Sequence, residues 1–233
     1  MNPFRRRIQT AMQQGGGAAA FSPASIPGLQ LWLDASQIVG LNDGDVVTTW
    51  QDLSGNGNDV TQTTGSRQPT YQTNEVNGKP CVRFDGVDDF LRCTTFSQAQ
   101  PLTVLVVSKL TGTTGQKRMF DGNTSRFLIG LQLGANLIFY AGGEINYADA
   151  PPWPWRYYTG IFHGSSSSQY RNGTLLGNGN PGTWSLDDLM VGAGVFGFEP
   201  WEGDIAELII YDSSLSAGNL ALLHSYIASK YGL

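Results

Sequence analysis

Short runs of apolar and β-branched residues, each broken after a few positions by Gly, Asn, Asp or Pro, fill most of this 233-residue chain. Alternation with period two marks half-buried strands, and the breakers mark turns. Strands are predicted at residues 29–33, 46–50, 80–84, 90–93, 102–109, 118–120, 127–133, 137–141, 156–163, 169–171, 188–192 and 204–211. Val104-Leu105-Val106-Val107 is apolar on both faces, which predicts a central strand covered on two sides. Many short strands at close spacing predict an all-β fold, a two-sheet antiparallel jelly-roll sandwich.

Two segments depart from this rhythm. At the C-terminus Leu220, Leu223 and Ile227 recur at helical spacing, with Ser216 placed to cap the first turn and Gly232 to stop the last. A short C-terminal helix is predicted there. At the other end residues 1–27 read as an extended arm. Phe4, Ile8 and Met12 form one apolar stripe beside Arg5, Arg6 and Arg7, and a Gly/Ala spacer follows. The stretch after the arginines is too polar for a secretory signal. A polar arm has little to pack on beyond its own domain, so we expect Phe4, Arg5, Arg6, Arg7, Ile8 and Met12 to anchor the chain on neighbouring subunits. The domain proper is expected at 28–233.

Composition narrows the function classes. Thirty glycines, eleven prolines and 14% charged residues suit sheets and turns. The net charge of −5 hides an asymmetry: without Arg5, Arg6 and Arg7 the rest has 11 basic against 19 acidic residues, or −8. An acidic body argues against nucleic acid as a partner. No apolar run is long enough to span a membrane. The two cysteines, Cys81 and Cys93, fall opposite each other if residues 80–84 and 90–93 form one hairpin, a position awkward for a disulfide, and free thiols are expected.

Several motifs resemble laminin-G-like jelly-roll domains of the concanavalin-A-like lectin/glucanase superfamily. They are Leu31-Trp32-Leu33-Asp34-Ala35-Ser36, then Trp50-Gln51-Asp52-Leu53-Ser54-Gly55-Asn56-Gly57-Asn58, the 78–91 segment, Gln169-Tyr170-Arg171-Asn172-Gly173, and the closing strand and helix. The resemblance covers about residues 28–233 and implies the fold, not one function. From such domains' use in virion surface proteins, and from the arm, we expect a non-enzymatic structural or decoration protein of a larger assembly. A phage virion, on the surface of its head or tail, is the first expectation, and an extracellular protein the alternative. Its partners would be other virion subunits or copies of itself. The opposing classes are a lectin module recognising cell-surface glycans and, more weakly, a glycoside hydrolase.

Candidate chemistry follows from these classes. Trp153, Trp155, Arg156 and Tyr157 lie in a Pro-rich segment read as a loop, and Phe196, Phe198 and Trp201 lie in a second one; such rings suit a glycan or a subunit contact. No cofactor is expected other than Ca²⁺, for which Asp85, Asp88 and Asp89 supply hard oxygen ligands. Asp52, Asn56, Asn58 and Asp59 form a lesser cluster, and turn chemistry accounts for both equally well. Glu202, Asp204 and Glu207 echo the spacing of a glucanase catalytic strand, where two carboxyls must stand about 5 Å apart. They lie on the closing strand, and strict alternation would put Glu207 on the opposite face from the other two, so no catalytic residue is expected. His163 and His224, the two histidines, have no triad context.

Overall fold

A computed structural model describes residues 21–133 and 135–233. The residues expected to anchor the chain, Phe4, Arg5, Arg6, Arg7, Ile8 and Met12, lie outside these described residues. In chain order the strands are β1 (Leu29–Asp34), β2 (Thr49–Trp50), β3 (Val60–Thr61), β4 (Thr70–Val76), β5 (Lys79–Asp85), β6 (Leu91–Gln98), β7 (Leu102–Leu110) and β8 (Lys117–Ser125). Then follow β9 (Leu128–Gln132), β10 (Asn136–Tyr140), β11 (Glu144–Ala148), β12 (Trp153–Phe162), β13 (Ser167–Arg171), β14 (Thr174–Gly179), β15 (Leu186–Val191), β16 (Glu202–Tyr211) and helix α1 (Ala217–Tyr231). Sheet 1 runs β14-β13-β12-β7-β16-β5-β4, with β1 also paired to β16; sheet 2 runs β11-β10-β9-β8-β15-β6-β3-β2. This is the expected antiparallel jelly-roll sandwich.

The two inner faces form the main core, where Phe84, Val104 and Val106 of sheet 1 meet Phe120, Ile129 and Phe139 of sheet 2. A second core lies on the outer face of sheet 1, where Leu105, Val107 and Ile209 pack against Leu220, Leu223 and Ile227 of α1. Sheet 1 is therefore covered on both sides, which explains the unbroken apolar run in β7. The helix begins as predicted, with Ser216 Oγ accepting from the Asn219 amide at 3.3 Å. It ends at Gly232, which takes the left-handed conformation (φ 69°) that glycine adopts without strain.

Four expectations are corrected. Residues 80–84 and 90–93 are not one hairpin: β5 pairs with β4 through an Asn77-Gly78 turn in sheet 1, while β6 belongs to sheet 2. Cys81 and Cys93, both buried and free, therefore sit in different sheets. The second correction concerns alternation along β16. Its first half pairs with β5 and its second with β1, and a bulge at the changeover, between Ile205 and Glu207, turns Glu207 outward beside Asp204. Third, the segment containing Trp153 and Trp155 is part of β12, not a loop; its register against β7 slips between Trp153 and Arg156, around Pro154. Fourth, chain packing starts before residue 28: Ile26 is buried and Tyr211 Oη donates to the Pro23 carbonyl at 3.0 Å.

Candidate functional site

The nominated rings are divided by burial. Trp153, Tyr157 and Trp201 are buried, with the Trp153 and Trp201 rings packed at a tilt, 6.2 Å apart, inside the sandwich. They serve the core and offer no surface to a sugar. Trp155 is half-buried against the α1 side, with the Lys109 ammonium 6.0 Å from its ring. Arg156 is held by Asp149, which also pairs with Arg171. Of the rings named from the sequence, Phe196 and Phe198 are exposed, at 76% and 68%.

The carboxylates of β16 are engaged elsewhere. Asp204 is buried and accepts from Arg83 Nε at 2.6 Å, with Lys109 at 3.5 Å. Glu207 is 0% exposed beneath α1 and accepts from Trp32, Tyr226, Tyr231 and Lys230. Burial raises its pKa, and the nearby Asp34 charge adds to the rise. Glu202, at the strand's far end, pairs at 3.3 Å with Lys117 of sheet 2. The bulge puts Asp204 and Glu207 on one face, but α1 seals Glu207 away from any open groove.

Oxygens of Asp85, Asp88 and Asp89 do converge, lying within 4.8 Å of one another. Their hydrogen bonds are those of a turn: Asp85 Oδ1 accepts from the Val87 and Asp88 amides, and Asp89 Oδ2 from the Asp85 amide. Burial lifts Asp89 to a pKa of about 6, with Asp85 and Asp88 adding repulsion. These residues could hold a hard cation. The second cluster is structural, since Asp52 accepts from the Trp32, Ser54 and Asn58 amides and straps the 52–58 turn to β1.

A different site appears on the outer face of sheet 2, which no helix covers among the described residues. A groove of about 130 Å³ lies between Gln116, Arg118, Arg126, Gln132, Tyr140 and Glu144, with Leu128 and Ile138 also lining it. Arg118 organises it. Its guanidinium is buried and donates to Glu199 (Nε–Oε2 2.8 Å), the Leu131 carbonyl (2.6 Å), and the side-chain carbonyls of Gln116 and Gln132 (3.0 Å each). Gly130 permits the close approach of β8 here, because a Cβ there would lie 2.2 Å from the Lys117 carbonyl oxygen and 3.1 Å from Arg118 Cδ. Arg126 joins Asp121 at 3.1 Å and also binds Glu199. Asp121 is buried, which raises its pKa to about 6 against the pull of Arg126.

The loop carrying Glu199 is shaped for this contact. Phe196 and Glu199 both have left-handed backbones (φ 57° and 55°), a conformation costly for side chains other than glycine. Asn123 holds the loop by accepting from the Phe196 amide at 2.7 Å. Trp184, 47% exposed, stands edge-on to the groove residue Tyr140 with ring centres 6.0 Å apart. Sequence reasoning missed this site. The usable signal was Arg118 itself, a cation beside Met119-Phe120 at the start of a predicted strand.

Histidine roles are modest. His163 is exposed beside Ser214, and His224 is wedged between Tyr157 and Tyr170 with Nε2 3.0 Å from Thr159 Oγ1. Among the described residues no helix is long and apolar enough to cross a membrane.

Comparison with known proteins adds to this picture. Domain 4 of AbnA, a GH43 extracellular arabinanase from Geobacillus stearothermophilus solved with arabinotriose, is 17% identical, with a TM-score of 0.62 over 83% of this chain and 97% of that one. Trypanosoma rangeli sialidase is 11% identical with a TM-score of 0.60, covering 87% of this chain and 33% of the sialidase. The binding domain of Paraclostridial Mosquitocidal Protein 1 is 13% identical with a TM-score of 0.60, over 88% of this chain and 53% of that one. The chain thus spans about a third of the sialidase's length. At these identities the likeness is one of fold. No curated protein matches the sequence. A laminin-G family of the group described as concanavalin A-like lectin/glucanases matches residues 85–221. That match takes in more than half the chain, from the acidic turn after β5 to the first turn of α1, and with the two-sheet sandwich it makes this protein a member of the concanavalin A-like lectin/glucanase superfamily.

Proposed function

We propose that this chain is a non-enzymatic recognition module of a larger assembly, anchored through its N-terminal arm and displaying a glycan-binding groove on the outer face of sheet 2. The observation that carries the reading is the groove: fixed polar side chains beside Tyr140, with exposed Trp184 packed edge-on to that ring, on a sheet face that no helix covers among the described residues. Sugars bind at such places because a ring stacks on an aromatic face while fixed polar groups engage hydroxyls. The neighbour solved with arabinotriose supports a saccharide reading, and the one described as a binding domain supports a recognition role. Burial of Glu207 and ion pairing of Asp204 support a role without hydrolysis. The assembly we have in view is a virion surface, the setting expected from the sequence.

A glycan array probed with the full chain, with a reducing-end assay on every polysaccharide bound, tests the reading. Binding without release of reducing ends is expected. Tyr140→Ala and Trp184→Ala should each weaken binding about tenfold, the loss of roughly 1.4 kcal/mol that a modest hot spot carries. Reducing ends released by the wild type and abolished in Glu202→Gln would overturn the non-enzymatic part. Silence across the array would overturn the recognition part.

A further inference from the structure

We infer that the groove on sheet 2 selects a neutral, hydroxyl-rich saccharide and rejects acidic sugars, an inference that rests on the glycan reading above. A guanidinium has five N–H donors and no acceptor. Gln116 and Gln132 must therefore both turn their carbonyls to Arg118, as their 3.0 Å contacts show. Their amide NH₂ groups are left as fixed donors on the groove wall. Arg126 adds a third donor: its Nε and one terminal nitrogen are taken by Asp121 and Glu199, and the other terminal nitrogen makes no hydrogen bond among the described residues. Opposite them Glu144 is exposed, and only one of its oxygens accepts, from Asn146 at 3.2 Å. Several fixed donors facing one carboxylate acceptor fit a hydroxyl cluster, which accepts from the amides while donating to Glu144.

The charge balance excludes an acidic ligand. Each guanidinium in the groove already faces a carboxylate, Arg118 with Glu199 and Arg126 with Asp121 and Glu199. Glu144 then leaves the groove with three carboxylates against two guanidinium groups. Recognition of a sugar carboxylate calls for an unmatched cation in bidentate geometry, and this groove offers none. The surrounding body is acidic as well, which repels anionic polymers at long range.

The test measures binding of the full chain to neutral polymers (arabinan, galactan, mixed-linkage β-glucan) and acidic ones (polygalacturonate, alginate, polysialic acid) at about 0.15 M salt, where long-range charge is screened beyond roughly 8 Å. At least one neutral polymer should bind, with every acidic polymer at least tenfold weaker. Gln132→Glu keeps an oxygen facing Arg118 but replaces the donor, and should weaken neutral binding at least tenfold with an unchanged melting temperature. Should that variant unfold, Gln116→Glu removes the second donor independently. Equal or tighter binding of an acidic polymer, or amide variants that bind like wild type, would overturn this inference while leaving the glycan reading standing. No binding to any polymer would overturn both.

Discussion

At the scale of single residues, the most demanding arrangement is the buried charge cluster under α1. Asp34 and Glu207 are both buried, and Lys230 serves them together, at 2.6 Å and 2.9 Å. Tyr226, Tyr231 and Trp32 satisfy the remaining lone pairs of Glu207. Such clusters add little net stability when complete, but removing one partner leaves a charge with neither water nor a counterion. Lys230→Met should therefore destabilise the domain by about 3–5 kcal/mol at neutral pH, measured as a shift of the urea midpoint. Adding Glu207→Gln should recover part of that loss. A Lys230→Met cost under about 1 kcal/mol would mean that Glu207 is already protonated when folded, contrary to the assignment of this cluster as ionic.

At the scale of elements, the strands most easily read from the sequence were the buried ones. β7 and β16 carry long apolar runs because a second sheet lies on one side and α1 on the other. The strands that escaped were β3, a two-residue strand, and β4, β11 and β14, which lie at sheet ends. Edge strands gain hydrogen bonds on one side only, and polar residues on them discourage pairing with other chains, so Thr70–Val76 reads as a loop. Trp153–Tyr157 misled for a related reason: Pro154 is tolerated where the β12 register slips, so a Pro-rich stretch passed for a loop. Nor did the local sequence mark the bulge before Glu207, which lies where β16 exchanges one neighbour for another. The groove was illegible because Arg118, Gln132, Tyr140 and Glu199 converge from three strands and a loop. One element-scale prediction concerns how α1 docks on sheet 1. Burial against Tyr157 and Tyr170 lowers the His224 pKa to about 4 from its ordinary 6.5. Below pH 6.5 the unfolded chain binds a proton there that the folded chain refuses until about pH 4, so stability falls across that window. Asp89 and Asp121, raised to about 6, act with the opposite sign, so a variant must isolate the histidine. The stability difference between wild type and His224→Gln should drop by about 3 kcal/mol from pH 7 to pH 4. A difference that stays constant would show that the docked helix accommodates a charged His224.

At the scale of the whole molecule, the two faces of the sandwich have different fates. The outer face of sheet 1 is occupied by α1, and the described chain enters the domain on that side, with the Phe21 ring tilted against Tyr226 at 5.7 Å and Ile26 buried in the same core. The groove opens on the opposite face, in sheet 2. A module attached through its N-terminal segment would therefore hold its groove away from whatever it is attached to. Truncation separates attachment from recognition. Removing residues 1–20 spares Phe21, Pro23 and Ile26, so the domain should keep its melting temperature and its affinity for any glycan the full chain binds. Removing residues 1–27 instead would strip the Pro23 carbonyl from Tyr211 and the buried Ile26 side chain, and deleting a buried aliphatic side chain alone costs about 2–5 kcal/mol. In co-sedimentation with the isolated host assembly, the chain lacking residues 1–20 should fall to background occupancy while remaining folded and competent to bind. Occupancy equal to the full chain would move the attachment surface onto the domain itself and end the anchoring role of Phe4, Ile8 and Met12.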